Sequence, residues 1–396
     1  LLFCCSAAFS PLFLPHAALG QNAESSSQVP ENETEVERRV SITSPAQARA
    51  PSRVADVVVT GSRDSLTTAR NIKRNADEVV DVVVAEDIGK LPDSNASESL
   101  ARVTGVQVER GGGEAARVLV RGLPDVSTTY NGRDIFTAEG RGVALQDFPA
   151  ASVAALEVFK SSSAWRLESG IAGLINVRSR RPFDFDGLEI AGSVRGTYAT
   201  QSERYDPNGD ILVSNRWTTP VGEVGALVNL SYTSLRYLDS VRWDSGVVGT
   251  IADQTADPAL AGVRFPDAVG VFYGAGDRWR PSANIALQWR PRDDLEFYFD
   301  GLYQGYRGEI YDRQFITPLY AEGTRFENVV LRPGGDVQSL TAAEGLRPEQ
   351  YQTAAFGKTD TWQYAIGGVY TAGPAEWSFD LARTDTTYTN SIHNLD

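Results

Sequence analysis

Val224-Gly225-Ala226-Leu227-Val228-Asn229-Leu230-Ser231-Tyr232-Thr233 sets Val224, Ala226, Val228, Leu230 and Tyr232 against Gly225, Asn229, Ser231 and Thr233. Side chains alternate across a strand, so this stretch reads as a strand with one apolar and one polar face. The same period recurs after Asp184, giving seven strands. Ile190, Val194 and Tyr198 mark one; Val241, Trp243 and Val247 another; Ala283, Ile285, Leu287 and Trp289 a third. Leu295, Phe297, Phe299 and Tyr303, then Tyr364, Ile366 and Tyr370, then Trp377, Phe379 and Leu381 complete the set, although Tyr298 and Leu302 break the pattern. Tight turns at Leu238-Asp239, Pro291 to Asp294 and Gly373-Pro374 alternate with long connections at about 201–221, 250–278 and 311–360. A soluble sandwich also alternates. Short turns on one side, long loops on the other and aromatic strand ends favour a transmembrane barrel.

Upstream the texture differs. Residues 21–53 are polar and lack a hydrophobic period, the composition of a flexible tether, and Ala55 to Arg63 is an isolated strand-prone segment. From about Ile72 to Pro182 the chain has the length of one small domain. Val79 to Ala85, Val106 to Glu109, Arg117 to Arg121, Leu156 to Lys160 and Leu174 to Arg178 read as strands. Pro92 to Asn95 supplies N-cap chemistry for a helix carrying Ala96, Leu100, Ala101 and Val103 on one face. Gly-rich and polar loops at Gly111 to Ala115, Leu123 to Arg133, Thr137 to Gln146 and Ser161 to Gly173 separate them.

Composition narrows the functional classes. The chain has 396 residues with 37 Lys plus Arg against 51 Asp plus Glu, a formal charge of −14. That balance disfavours nucleic acid as a partner, because phosphate binding rests on Lys and Arg. His16, Cys4 and Cys5 all lie in the first sixteen residues and His393 near the end. No metal cluster and no Cys/His nucleophile pair assembles across the body of the chain, so no cofactor, metal or catalytic residue is assigned and the protein is read as a non-enzyme. Gly111-Gly112-Gly113 lacks the Gly-Lys-Ser/Thr of a phosphate cradle, and Asp293-Asp294 sits in a turn. Residues 1–20 open in an apolar run without Met and end in small residues, as a partial secretory signal does; Pro11 and Pro15 and the short length disfavour a membrane helix.

Asp56 to Gly61, Val79 to Asn95, Leu119 to Gly122 and Glu157 to Val177 together resemble a TonB-dependent outer-membrane receptor, of the Xanthomonas/Caulobacter-type branch. The resemblance implies a flexible periplasmic tether at 21–71 with a TonB box at Asp56, Val57, Val58, Val59 and Thr60, an α+β plug domain at 72–183, and the N-terminal part of a transmembrane antiparallel β-barrel at 184–396. Such a barrel has 22 strands when complete, against about seven here, so the chain is expected to be an N-terminal fragment. The box is implied to pair as an added strand with TonB, which is energised by its inner-membrane complex. Arg121 occupies the position expected to pair with barrel carboxylates and lock the plug. Lys160 stands where many members carry Arg.

The resemblance further implies an exported protein in the outer membrane of a Gram-negative cell, in contact with its lipid, taking up a scarce extracellular small molecule. Apical loops with Tyr130, Asn131, Arg133, Asp134, Phe136 and Arg141 are the candidate substrate contacts. Their mixture of aromatic faces and balanced polar groups suits an oligosaccharide. A ferric siderophore would favour unbalanced positive charge. A passive plugged pore or adhesin is the third reading.

Overall fold

A computed structural model describes residues 69–395 apart from 77, 85–94, 139–142, 151–152, 165, 245–246, 251–262, 267 and 320–323. The expected signal segment, most of the tether, the 56–60 strand and Arg141 lie outside the described residues.

The small domain begins with helix α1 (69–75) and continues through β1 (Val80–Val84), α2 (Ala96–Leu100), β2 (Val106–Gly111), β3 (Glu114–Val120), β4 (Val126–Tyr130), β5 (Arg133–Asp134), β6 (Ala155–Phe159) and β7 (Gly173–Arg178). Asn95 is the N-cap of α2, its side chain accepting from the Glu98 N–H at 3.0 Å. One sheet runs β1-β6-β7-β4-β5, and β2 and β3 form a separate hairpin. Every described residue of β6 is buried, as is β7 up to Arg178, so these central strands carry Leu156, Val158, Ile175 and Val177 into the core with Leu100, Val120 and Phe148. The segment Leu123 to Arg133, expected as a loop, instead contains β4. It pairs in parallel with β7 and buries Thr128, Thr129 and Tyr130, residues whose polarity hides the strand from a hydrophobic count.

Beyond Asp184 come β8 (Glu189–Ala199), β9 (Arg204–Thr219), β10 (Gly222–Asp244), β11 (Val247–Thr250), β12 (Arg264–Pro266), β13 (Ala268–Arg292), β14 (Leu295–Pro318), β15 (Arg325–Leu331), β16 (Val337–Glu344), β17 (Glu349–Ala372) and β18 (Ala375–Leu395). Seven of them form one antiparallel meander, β18-β17-β14-β13-β10-β9-β8, which is not closed into a barrel. The β11–β12 and β15–β16 hairpins sit in two of the long connections. The number of strands is the expected one, but the membership is not. The stretch 201–221 is mostly β9, and Leu238-Asp239 lies inside the continuous β10 rather than in a turn. Asp210, Asn215 and Arg216 obscured the period of β9.

The sheet is inside-out relative to a soluble one. Val194 is 95% exposed, Leu381 65% and Ile366 50%, while Asn229, Gln304 and Gln363 on the opposite face are each 2% exposed. Apolar side chains outward and polar side chains inward is the arrangement of a strand whose outer solvent is lipid. Among the described residues no helix is long and apolar enough to cross a membrane. Leu302 and Tyr298, which broke the alternation, turn inward: Leu302 joins the core of the small domain, and the Tyr298 hydroxyl donates to Asp380.

Candidate functional site

The polar inner face of the sheet meets the small domain through two buried ionic clusters. The first forms at the tip of the β2–β3 hairpin. Gly112 and Gly113 adopt φ values of 59° and 80°, turning the chain so that Glu114 faces β13. The left-handed φ at Gly112 favours glycine, and a Cβ there would lie 2.6 Å from the Arg278 guanidinium, which would have to shift. Arg280 grips the Glu114 carboxylate with both terminal nitrogens, at 2.7 and 3.0 Å, and donates from Nε to Asp147 at 2.7 Å. Arg278 adds a bond to Glu114 at 2.9 Å. Asp239 accepts the Gly112 N–H at 3.2 Å, and Gln304 donates to the Asp147 carbonyl. The two-pronged Arg280–Glu114 pair has the strong fork geometry of guanidinium and carboxylate.

The second cluster reverses the polarity. Asn131 and Gly132, at φ 51° and 80°, form the two-residue turn between β4 and β5, the positive-φ chemistry that an Asn-Gly pair supplies. This turn delivers Arg133 to the wall. Its Nε donates to Asp380 Oδ1 at 2.8 Å, one terminal nitrogen to Asp380 Oδ2 at 2.6 Å, and the other to Asp300 at 2.8 Å. Burial works against the Arg133 charge, but Asp380 and Asp300 overcome it and raise its pKa above the ordinary value. Arg181 shares Asp300 at 2.7 and 3.1 Å and lies 4.0 Å from the centre of the Tyr298 ring. Next to this cluster Tyr130 is buried and its hydroxyl donates to Asn284 at 2.9 Å. Desolvation raises its pKa well above that of a free phenol.

The expected site residues distribute unevenly over this geometry. Arg121 is exposed at φ 56°, held by its backbone N–H to the Gly105 carbonyl at 2.8 Å, and its guanidinium reaches no carboxylate among the described residues. Buried ion pairs between the small domain and the sheet are made by Arg133 and by the wall residues Arg278 and Arg280. Asn131 exchanges bonds with Ser179 at 2.9 Å, so Tyr130, Asn131 and Arg133 are all engaged inside the protein. Asp134 and Phe136 keep exposed side chains, and only their carbonyls bond the wall, to Gln363, Thr384, Thr361 and Thr386. Lys160 forms a single-point pair with Asp81 at 2.5 Å, not a fork. Glu114, Asp147, Arg278, Arg280, Asp300 and Asp380 were not singled out from sequence; a charged residue on the polar face of an alternating strand was the available signal.

The family model for the TonB-dependent receptor plug domain matches residues 72–174. These are the residues of the small domain that fill the polar face of the sheet. The small domain is a TonB-dependent receptor plug domain. The plug is followed by seven antiparallel strands in one open sheet. Solved structures similar to this chain include the ferric citrate transporter FecA, at 14% identity and TM-score 0.38, covering 83% of this chain and 60% of that one. The alcaligin outer-membrane receptor FauA from Bordetella pertussis matches at 13% identity and TM-score 0.35, covering 82% and 59%. The copper transporter OprC matches at 14% identity and TM-score 0.32, covering 80% and 60%. The chain thus spans about three-fifths of the length of these structures. No curated protein matches it.

Proposed function

We propose that the complete receptor resides in the outer membrane after export through a cleaved signal peptide, and imports a scarce extracellular nutrient with energy delivered by TonB. The observation that carries this reading is a folded plug clamped to the polar inner face of an outward-apolar sheet by paired charges, an obstruction that a passive pore has no use for. Asp56 to Thr60, within the 21–71 tether, are the strand offered to TonB. In the complete receptor Val58→Pro is expected to abolish uptake and leave ligand binding intact, because proline removes a ladder donor. Uptake at the wild-type rate would overturn the assignment.

The cargo we favour is an oligosaccharide. At the two clusters four guanidiniums, of Arg133, Arg181, Arg278 and Arg280, face four carboxylates, of Glu114, Asp147, Asp300 and Asp380. That balance leaves no surplus positive charge there to draw an anionic ferric chelate. Exposed Phe136 and Asp134, with Arg141, are the remaining plug-side candidates for ligand contact. Titration of the complete receptor with neutral oligosaccharides and with ferric chelates tests the choice: tight chelate binding without sugar affinity would replace the cargo and leave the transporter reading intact.

A further inference from the structure

The halves of β10, β13 and β14 far from the short turns continue past the plug contacts, which end at Tyr237 and Asp239, and their inner faces carry a repeated pattern. Alternate residues share a face, so the inward positions of β13 beyond Arg278 are Gly276, Gly274, Phe272 and Gly270. An aromatic ring lies over each of the three glycines. A Cβ at Gly276 would stand 2.7 Å from Tyr237 Cε1, at Gly274 2.8 Å from Phe272 Cε1, and at Gly270 2.9 Å from Trp243 Cε2. On β14 the Tyr306 ring covers Gly308 in the same way, with Cζ 2.6 Å from the Cβ position. No β carbon fits beneath these rings, so the glycines let them lie along the wall instead of projecting from it.

Rings bedded at alternate residues are spaced about 7 Å apart, and Gly270 to Gly276 spans about 20 Å of strand. Phe272 and Tyr306 are only partly covered, whereas Tyr237 is buried beneath Arg278, 4.5 Å from its ring centre. Asp239 and Asp312 are the register partners of Gly274 on either side, which sets a carboxylate at each flank of the Phe272 ring. Carboxylates accept hydroxyl protons and repel anions. Flat apolar faces bordered by acceptors fit a ring with C–H faces and a hydroxylated rim.

We propose that Trp243, Phe272 and Tyr306 form a stacking shelf on the barrel wall for the sugar rings of a neutral oligosaccharide, with Asp312 accepting its hydroxyls. The shelf rests on the saccharide reading of the cargo and gives it a place. If the rings serve only to shield strand glycines, bulk is enough and aromaticity is dispensable. The test is calorimetric titration of the complete receptor with maltohexaose, cellohexaose, xylohexaose and ferric citrate. At least one hexasaccharide is expected to bind. Phe272→Leu and Tyr306→Leu, which keep bulk without a π face, are each expected to weaken that binding by about tenfold, while Phe272→Tyr and Tyr306→Phe leave it unchanged. Asp312→Asn is expected to weaken it severalfold and serves as the deciding variant if a leucine variant fails to assemble as a heat-modifiable barrel. Hexasaccharide binding that survives the leucine substitutions, or Asp312→Asn where those do not assemble, overturns the shelf and spares the saccharide reading. Ferric citrate binding with no hexasaccharide binding overturns both.

Discussion

The plug and the long sheet are both built from strands, and they obey opposite burial rules. In the plug, Val158, Ile175 and Val177 are completely buried while Glu109, Arg110 and Arg121 are exposed. In the sheet, Ile190, Leu230 and Leu287 are exposed while Ser282, Asn284 and Gln288 are buried. One chain therefore folds in two solvents. An apolar side chain goes to whichever side holds less water: the core for the plug, lipid for the sheet. Burial of Asn229 or Gln304 is not a defect of the sheet, because that face belongs to a hydrated lumen and to the plug seated in it.

Substitutions made in the complete receptor can break or sharpen this contrast. Phe148→Ala removes a fully buried ring from the plug core, with an expected loss of about 3–5 kcal/mol, read as earlier proteolysis of the plug on a denaturant series. An unchanged series would mean that the wall, not the core, holds the plug together. Glu114→Ala strands Arg280, 4% exposed, and Arg278. The expected cost is about 3 kcal/mol, at the low end for a broken buried pair because Arg280 retains Asp147. Plug release measured by cross-linking to the wall checks it. Ile285→Arg places a charge on the lipid face of β13, where the expected cost is about 2 kcal/mol of barrel stability. Measured insertion into vesicles equal to wild type would contradict the outward assignment of that face.

The smallest effect concerns pH. Burial alone would raise the Asp81 carboxyl, but Lys160 and Lys73 hold it below its ordinary value. A depressed carboxylate stabilises the fold above its unfolded pKa, and that contribution fades as pH falls through the folded value. The attachment of β1 to β6 is therefore expected to loosen below about pH 4, and Asp81→Asn to remove the dependence. Amide exchange of β1 between pH 3 and 6 is the measurement, and an identical profile in the variant would sink the assignment.

Much of this organisation was legible in sequence, and its limits have physical causes. The period-2 strands Val224 to Tyr232 and Ala283 to Trp289 stood out because lipid on one side and a polar lumen on the other enforce alternation. β9 did not, because Asp210, Asn215 and Arg216 dilute its period. Asn131-Gly132 carried a plain hairpin signal, yet read as an exposed ligand loop it concealed the turn that sends Arg133 into the wall. The ionic partners were harder. Glu114 and Arg280 are 166 residues apart, and no local pattern joins them. Arg121 was the residue that the motif pointed to, while the structure gives the buried pairing to residues fixed by strand register.

The two clusters also differ in sign, and that difference works as a keyway. In one the plug offers the acids and the wall the bases; in the other Arg133 is the plug's base and Asp300 and Asp380 the wall's acids. A plug seated with the two positions exchanged would set Glu114 against Asp300 and Asp380, and Arg133 against Arg278 and Arg280. Both contacts would then repel. The charges that hold the plug thus also index its angular setting, so the domain settles against the sheet in one orientation.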